Sequence, residues 1–283
     1  MTSSSILSVV TFMYGLAAVI YIAAWIFKKP DAGRTASWVT LAAVAGNATG
    51  IILRWVESYQ LGYGHAPLSN LYESLVFFAL SIGILYLVVE RKYQNRVLGA
   101  FTTPLACLAM AYASLSPNIS DRIQPLIPAL KSNWLIAHVV TCFIGYAAFA
   151  VAFGVSIMFL VVDRRSVGAG AGGGVIERLP SNALLDELNH QLIMFGFLFL
   201  SVGIITGSVW ANSAWGRYWG WDPKETWSLI TWFIYATVLH LRFMRGWQGR
   251  LIAIFSILGF MAVLFTYFGV NLLPGLHSYG AAK

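Results

Sequence analysis

The sequence predicts an all-α fold: a polytopic helical membrane protein of about eight transmembrane helices, with both termini on the outer, periplasmic or lumenal, side. Composition is the first reason. Of 283 residues, 58% are hydrophobic and 10% charged, and the mean hydropathy is +0.71, too apolar for a soluble domain around one buried core. The second reason is the length of the apolar runs, each near the roughly 20 residues that a helix needs to cross the hydrocarbon layer. Barrel strands would instead be about ten residues long with strict alternation. The third is the alternation of basic loops along the chain.

The spans follow in order. The first covers 6–27; its start, MTSSS, lacks a basic region, and Lys28-Lys29 follows a long apolar run, so it reads as a retained span rather than a cleaved signal. The second covers 36–56, the third 69–89 and the fourth 97–115. The fifth covers 134–162, and a composition shift then marks a cytoplasmic Gly-rich linker over 163–190. Its GAGAGGG run lacks the Gly-Lys-Ser/Thr ending of a phosphate loop and reads as flexible chain. The sixth span covers 191–210, an external tryptophan-rich loop covers 211–224, and the seventh and eighth spans cover 225–243 and 250–271. The whole chain, 1–283, reads as a single integral membrane domain.

Orientation comes from the 18 Lys and Arg residues. Twelve fall in one set of alternate loops (Lys28, Lys29, Arg34; Arg91, Lys92, Arg96; Arg164, Arg165, Arg178; Arg242, Arg245, Arg250) and six on the other side (Arg54, Arg122, Lys131, Arg217, Lys224, Lys283). The richer side faces the cytoplasm or its organellar equivalent. The net charge of +7 is thus a topology signal and not the footprint of a nucleic-acid partner, which would need a basic patch with nearby aromatics. Cys107 and Cys142 fall inside spans without a CxxC pair and read as small core residues.

Six of the eleven tryptophans lie between Trp210 and Trp232, most in WGRYWGWDPKETW from Trp215 to Trp227. An aromatic belt accounts for one or two indoles per helix end, and Trp25, Trp38, Trp55, Trp134 and Trp247 fit it. It does not account for Trp215, Trp219, Trp221 and Trp227 in one short segment. With Gly216 and Gly220 between them, where a backbone can approach a flat ligand, they suggest a stacking surface for a porphyrin-sized ring. Asp222-Pro223-Lys224-Glu225 reads first as a helix start, with Asp222 at the N-cap and Glu225 closing a capping box.

Histidine is the obvious iron ligand, and the five present differ. His138, just inside the fifth span, and His277, just beyond the eighth, reach the same outer layer as the tryptophan-rich loop. Two histidines at one depth beside an aromatic platform point to axial ligation of a heme from opposite faces. His240 lies roughly 22 Å deeper, counting about 1.5 Å per residue from Glu225, and marks a second, inner position. His190 is its partner or a boundary residue, and His65 has no constellation around it. Arg217 is the cation best placed for a heme propionate.

The run WGRYWGWDPKETW, continued by SLITWFIYATVLHLR to Arg242, resembles the WWD signature of heme-handling proteins, specifically the CcsA/ResC family of system II cytochrome c biogenesis. PLSNLYES (Pro67 to Ser74), SNWLIAHV (Ser132 to Val139), GSVWANSAWG (Gly207 to Gly216) and GVNLLPGLHSY (Gly269 to Tyr279) fit it as well. The resemblance implies that His138 and His277 are external axial ligands and His240 a transmembrane heme ligand. It implies heme b as bound substrate, with Asp222 and the loop's indoles around it. The implied partners are a CcsB/ResB-like membrane protein, apocytochrome c and thiol-reducing proteins. The absence of a large soluble domain marks the chain as the unfused form. The expected location is the bacterial inner membrane, or the thylakoid membrane in a plastid. Expected is a subunit that moves heme outward and presents it for thioether attachment to Cys-x-x-Cys-His apocytochromes; the competing reading is an exporter or chaperone that delivers heme without attaching it. No residue stands out as a general acid or base. A b-type electron-transfer cytochrome is disfavoured, because no helix holds two histidines.

Overall fold

The computed structural model describes residues 2–167 and 174–273. It contains eight α-helices: α1 Ser3–Phe27, α2 Pro30–Gln60, α3 Leu71–Tyr93, α4 Gly99–Leu115, α5 Asn133–Val167, α6 Asn182–Trp215, α7 Pro223–Arg245 and α8 Arg250–Tyr267. Every expected span coincides with one of them, and no strand occurs among the described residues. Seven are long and apolar enough to cross a membrane, which makes this an integral membrane protein. The eighth helix, α7, falls short of that measure among the described residues; it carries Lys224 and Glu225 at one end and Arg242 and Arg245 at the other.

The chain divides into two compact units, one of Met1–Leu130 with Gly168–Pro180, the other of Lys131–Val167 with Ser181–Lys283. In the first unit, helix starts are set by local chemistry. Thr2 caps α1, Pro30 stands in the first turn of α2, and Asn70 caps α3 by accepting from the Glu73 N–H at 2.9 Å. Small residues let helices approach: a Cβ on Gly50 of α2 would lie 2.6 Å from the Leu7 side chain of α1. The carboxylates inside this unit are all engaged. Glu73 pairs with Arg54 at 2.8 Å, both almost fully buried, and also accepts from Ser69. Glu90 accepts from Tyr21 and Tyr86, each at 2.6 Å, and from Ser37. Glu57 takes the backbone N–H and hydroxyl of Ser3.

The linker expected over 163–190 is shorter than its composition suggests. Helix α6 begins at Asn182, capped by Ser181, so 182–190 is helix. Residues 174–180 are tied to the end of α1: Arg178 donates to the Trp25 and Ile26 carbonyls, and the Trp25 indole N–H donates to the Val175 carbonyl at 2.9 Å. These bonds satisfy carbonyls that a helix end leaves unpaired. Trp25, expected in the aromatic belt, thus also anchors this segment.

In the second unit, a layered contact fixes all four helices. A Cβ on Gly196 of α6 would run into the Phe149 ring of α5 at 2.6 Å; that ring stacks on Tyr235 of α7 at 3.6 Å between centroids; Tyr235 in turn lies on Gly259 of α8, where a Cβ would again meet the ring at 2.6 Å. Glycine, ring, ring, glycine gives close packing without a hydrogen bond. At the basic end, Asp186 accepts from Arg242 at 2.6 Å and from the Gly249 N–H at 2.8 Å, joining α6 to the α7–α8 turn.

Candidate functional site

The end of the second unit that carries the tryptophan-rich loop is built around His138. Its place on α5 is set by two glycines of α6 at helical spacing, Gly203 and Gly207. A Cβ on Gly207 would lie 2.5 Å from His138 Nδ1, and one on Gly203 would lie 2.5 Å from the Sγ of Cys142, one turn further along α5. The histidine and the cysteine therefore fill a groove that only glycine leaves open. His138 Nδ1 donates to the Gly203 carbonyl at 2.7 Å, and Cys142 Sγ lies 3.6 Å from the same nitrogen. A proton on Nδ1 leaves Nε2 with its lone pair, the tautomer a metal ligand needs, and a carbonyl behind the ring is the usual device for orienting such a ligand. The imidazole stacks on Trp210 of α6, centroids 5.8 Å apart and planes 15° apart, and Trp210 meets Trp215 at 4.9 Å.

Two further aromatic groupings follow. Trp219 and Trp221 of the loop make an edge contact at 5.7 Å, with the Trp221 indole 69% exposed. Trp221 has φ +57°, the left-handed region that bulky side chains avoid. Trp227 belongs to α7 itself and packs on Phe265 of α8 at 4.2 Å. Trp232 lies deeper, bonded to Ser201 at 2.9 Å.

The loop's backbone explains its polar residues. Gly216 is the left-handed C-cap of α6, its N–H donating to Asn212 at 2.9 Å. Gly220 lies against the exposed Arg217, where a Cβ would meet the guanidinium carbon at 2.7 Å. Gly216 thus has a local backbone reason beside the ligand approach expected of it, while Gly220 meets only a movable side chain. Asp222 starts α7 with the expected capping box: it accepts from the Lys224 N–H at 3.0 Å, while Glu225 accepts from the N–H of Asp222 at 3.1 Å and of Gly220 at 2.7 Å. These bonds close the short turn after α6, with Trp221 at the surface and Trp219 half-buried.

His240 sits on an exposed face of α7 with Ile230, Phe233, Thr237 and Met244, spaced as one helical stripe. His190 of α6 contacts the Phe243 ring at 5.3 Å, next to the Asp186–Arg242 pair. His277 lies outside the described residues. His65, without a constellation in the sequence, is buried, and its ring nitrogens face the carbonyls of Ala66 and Gln124 at 3.0 and 2.9 Å, an anchor between the α2–α3 and α4–α5 connections. Arg54, on the outer side by sequence, is spent on Glu73. Sequence reasoning missed Gly203 and Gly207 as positioning residues; the signal was present, since both pairs, Gly203/Gly207 and His138/Cys142, have the four-residue spacing of a helix face.

Comparison with known proteins gives a consistent result. Residues 68–277 match a family model described as Cytochrome C assembly protein. The cytochrome c biogenesis protein CcsA of Parasynechococcus marenigrum (strain WH8102) is 44% identical over 252 residues, 81% of either chain. CcsA of Synechococcus sp. (strain CC9311) is 42% identical over 284 residues, 90% of this chain and 92% of the relative. Among solved structures, cytochrome c heme lyase CcmF matches with a TM-score of 0.71 over 95% of this chain, at 17% identity; this chain spans 47% of that one, and the likeness is one of fold.

Proposed function

This chain belongs to the Cytochrome C assembly protein family, and from that premise we propose that it is the heme-handling subunit of a cytochrome c synthase, acting in cytochrome c maturation. In this reading it moves heme b, its bound substrate, to the outer face and presents it for thioether attachment to Cys-x-x-Cys-His apocytochromes.

One observation carries the reading: His138 Nδ1 donates to the Gly203 carbonyl, which leaves Nε2 with its lone pair, and the imidazole stacks on Trp210, which meets Trp215, the first indole of the tryptophan-rich run. His138 is one axial ligand and His277, expected at the same depth, the other. The exposed indole of Trp221 and its neighbour Trp219 offer a face to the macrocycle, and Arg217 offers a guanidinium to a propionate. The client's own histidine replaces one axial ligand and brings both of its thiols beside the vinyls. Each thiol then adds across a vinyl, sulfur to the carbon next to the ring and the proton to the terminal carbon. Holding the reactants together supplies much of the rate, and thiol-reducing partners keep the cysteines ready. His240, exposed on α7, is the inner ligand, shared with a CcsB/ResB-like membrane partner that covers that face. The membrane is a bacterial plasma membrane or a thylakoid membrane.

The test is coexpression with the partner and an apocytochrome in a host lacking other maturation systems. The expected result is covalent holocytochrome with the native chain and about a hundredfold less with His138→Ala, with the Soret band of the purified complex weakened in step. Heme delivered without covalent product favours the chaperone reading, and full heme content with full maturation in the variant removes His138 from the site.

A further inference from the structure

At the basic end of the first unit, where α2 and α3 meet the turn before α4, a cavity of about 400 Å³ opens to the surface. Three arginines line it: Arg34 from α2, Arg91 from α3 and Arg96 from the turn. Its other wall is apolar, made by Leu87 with Trp38 and Leu41, which are 70% and 46% exposed.

The one carboxylate in the lining, Glu90, does not neutralise this cluster. It already accepts from two tyrosines and a serine, and Arg96 alone among the three arginines approaches it, with Nε 3.4 Å from Oε1. That Nε is buried and makes no hydrogen bond. The Arg96 stem lies along Gly33 of α2, where a Cβ would stand 3.2 Å from its Cδ, so the guanidinium is placed by packing. Among the described residues Arg34 pairs with Asp31 alone, at 3.5 Å, both heads well exposed, a contact water screens heavily.

A site with convergent guanidiniums at one end and exposed indole and leucine at the other fits an anionic amphiphile. Guanidiniums hold phosphate oxygens bidentately, and basic pockets between membrane helices on the cytoplasmic side suit acidic lipid headgroups. All three arginines lie at or near the helix ends that carry the basic excess, which puts the cavity at headgroup depth on that side. We propose that this cavity binds the headgroup of an acidic phospholipid, its phosphate held by Arg34, Arg91 and Arg96 and the start of its acyl chain lying along Trp38, Leu41 and Leu87.

Native mass spectrometry of the full chain, released from nanodiscs of mixed phosphatidylglycerol and phosphatidylcholine, tests this. The native chain should retain one phosphatidylglycerol, preferred about tenfold over phosphatidylcholine. Arg34→Gln/Arg91→Gln should lose the preference. Leu87→Trp, which fills the apolar wall without touching a charge, should lose it too. Lys28→Gln/Lys29→Gln, on the same side but outside the cavity, should keep it. Equal loss in the Lys28/Lys29 variant would reduce the effect to general surface attraction, and unchanged retention in Leu87→Trp would place the lipid elsewhere. No lipid preference, with inorganic phosphate or hemin bound instead in phosphatidylcholine nanodiscs and lost in Arg34→Gln/Arg91→Gln, would assign the arginines to a soluble phosphate or to heme carboxylates and overturn the proposal.

Discussion

The first unit engages its buried carboxylates within its own interior, whereas the second places a histidine with one bonded nitrogen at the end that carries an exposed tryptophan. Arg54 is held by Glu73, and Glu90 by two tyrosines and a serine, so the polar interior of the first unit is spent on holding helices together. In the second unit the buried ion pair, Asp186–Arg242, stands at the basic end, and the end with the tryptophan-rich loop carries an imidazole with one nitrogen engaged and a pair of loop indoles, Trp219 and Trp221. The carboxylates of the first unit serve as scaffold, whereas His138 has one nitrogen bonded to Gly203 and its ring stacked on the buried Trp210.

Arg54→Met should give the largest effect and break the comparison on the scaffold side. It strands Glu73 as a buried charge and should cost about 3–5 kcal/mol, read as a fall in thermal stability and yield. Arg54→Met/Glu73→Gln should recover most of that loss, and both variants should show unchanged heme per folded molecule. A drop in heme occupancy in the stable double variant would show that the first unit takes part in the site after all.

Gly207→Ala comes next and tests the other side. The added methyl meets His138 and should cost about 1–3 kcal/mol by overpacking while turning the imidazole off its bond to Gly203. The sharper readout is spectroscopic: a low-spin bis-histidine heme spectrum should give way to a mixed or high-spin one. Lost stability with an unaltered heme spectrum would reduce Gly207 to a packing residue.

All eight helices were legible from apolar run length, and the start of α7 from Asp222-Pro223-Lys224-Glu225, because these signals are local. The first turns of α6 were not. Asp186, Glu187, Asn189 and His190 make that stretch look like loop, yet Asp186 is buried against Arg242 and Gly249, a partnership formed 56 or more residues apart. The tautomer of His138 was illegible for the same reason, since it rests on the register of α5 against α6. Trp227 shows the opposite limit. Sequence proximity grouped it with the loop indoles, while the helix that its neighbour Asp222 initiates carries it to Phe265.

Trp221 gives the smallest energetic effect and the cleanest separation of scaffold from site. Its φ of +57° costs a bulky side chain roughly 1–2 kcal/mol, and its indole, 69% exposed, recovers little of that by burial in this chain. Trp221→Gly should therefore leave stability unchanged or raise it by about 1 kcal/mol, since glycine adopts this conformation without strain. Heme occupancy should fall severalfold in the same protein. A variant that gains stability and loses ligand identifies strain kept for function, whereas one that loses stability and keeps its heme would make Trp221 part of the scaffold and move the ring-binding surface to Trp210 and Trp215.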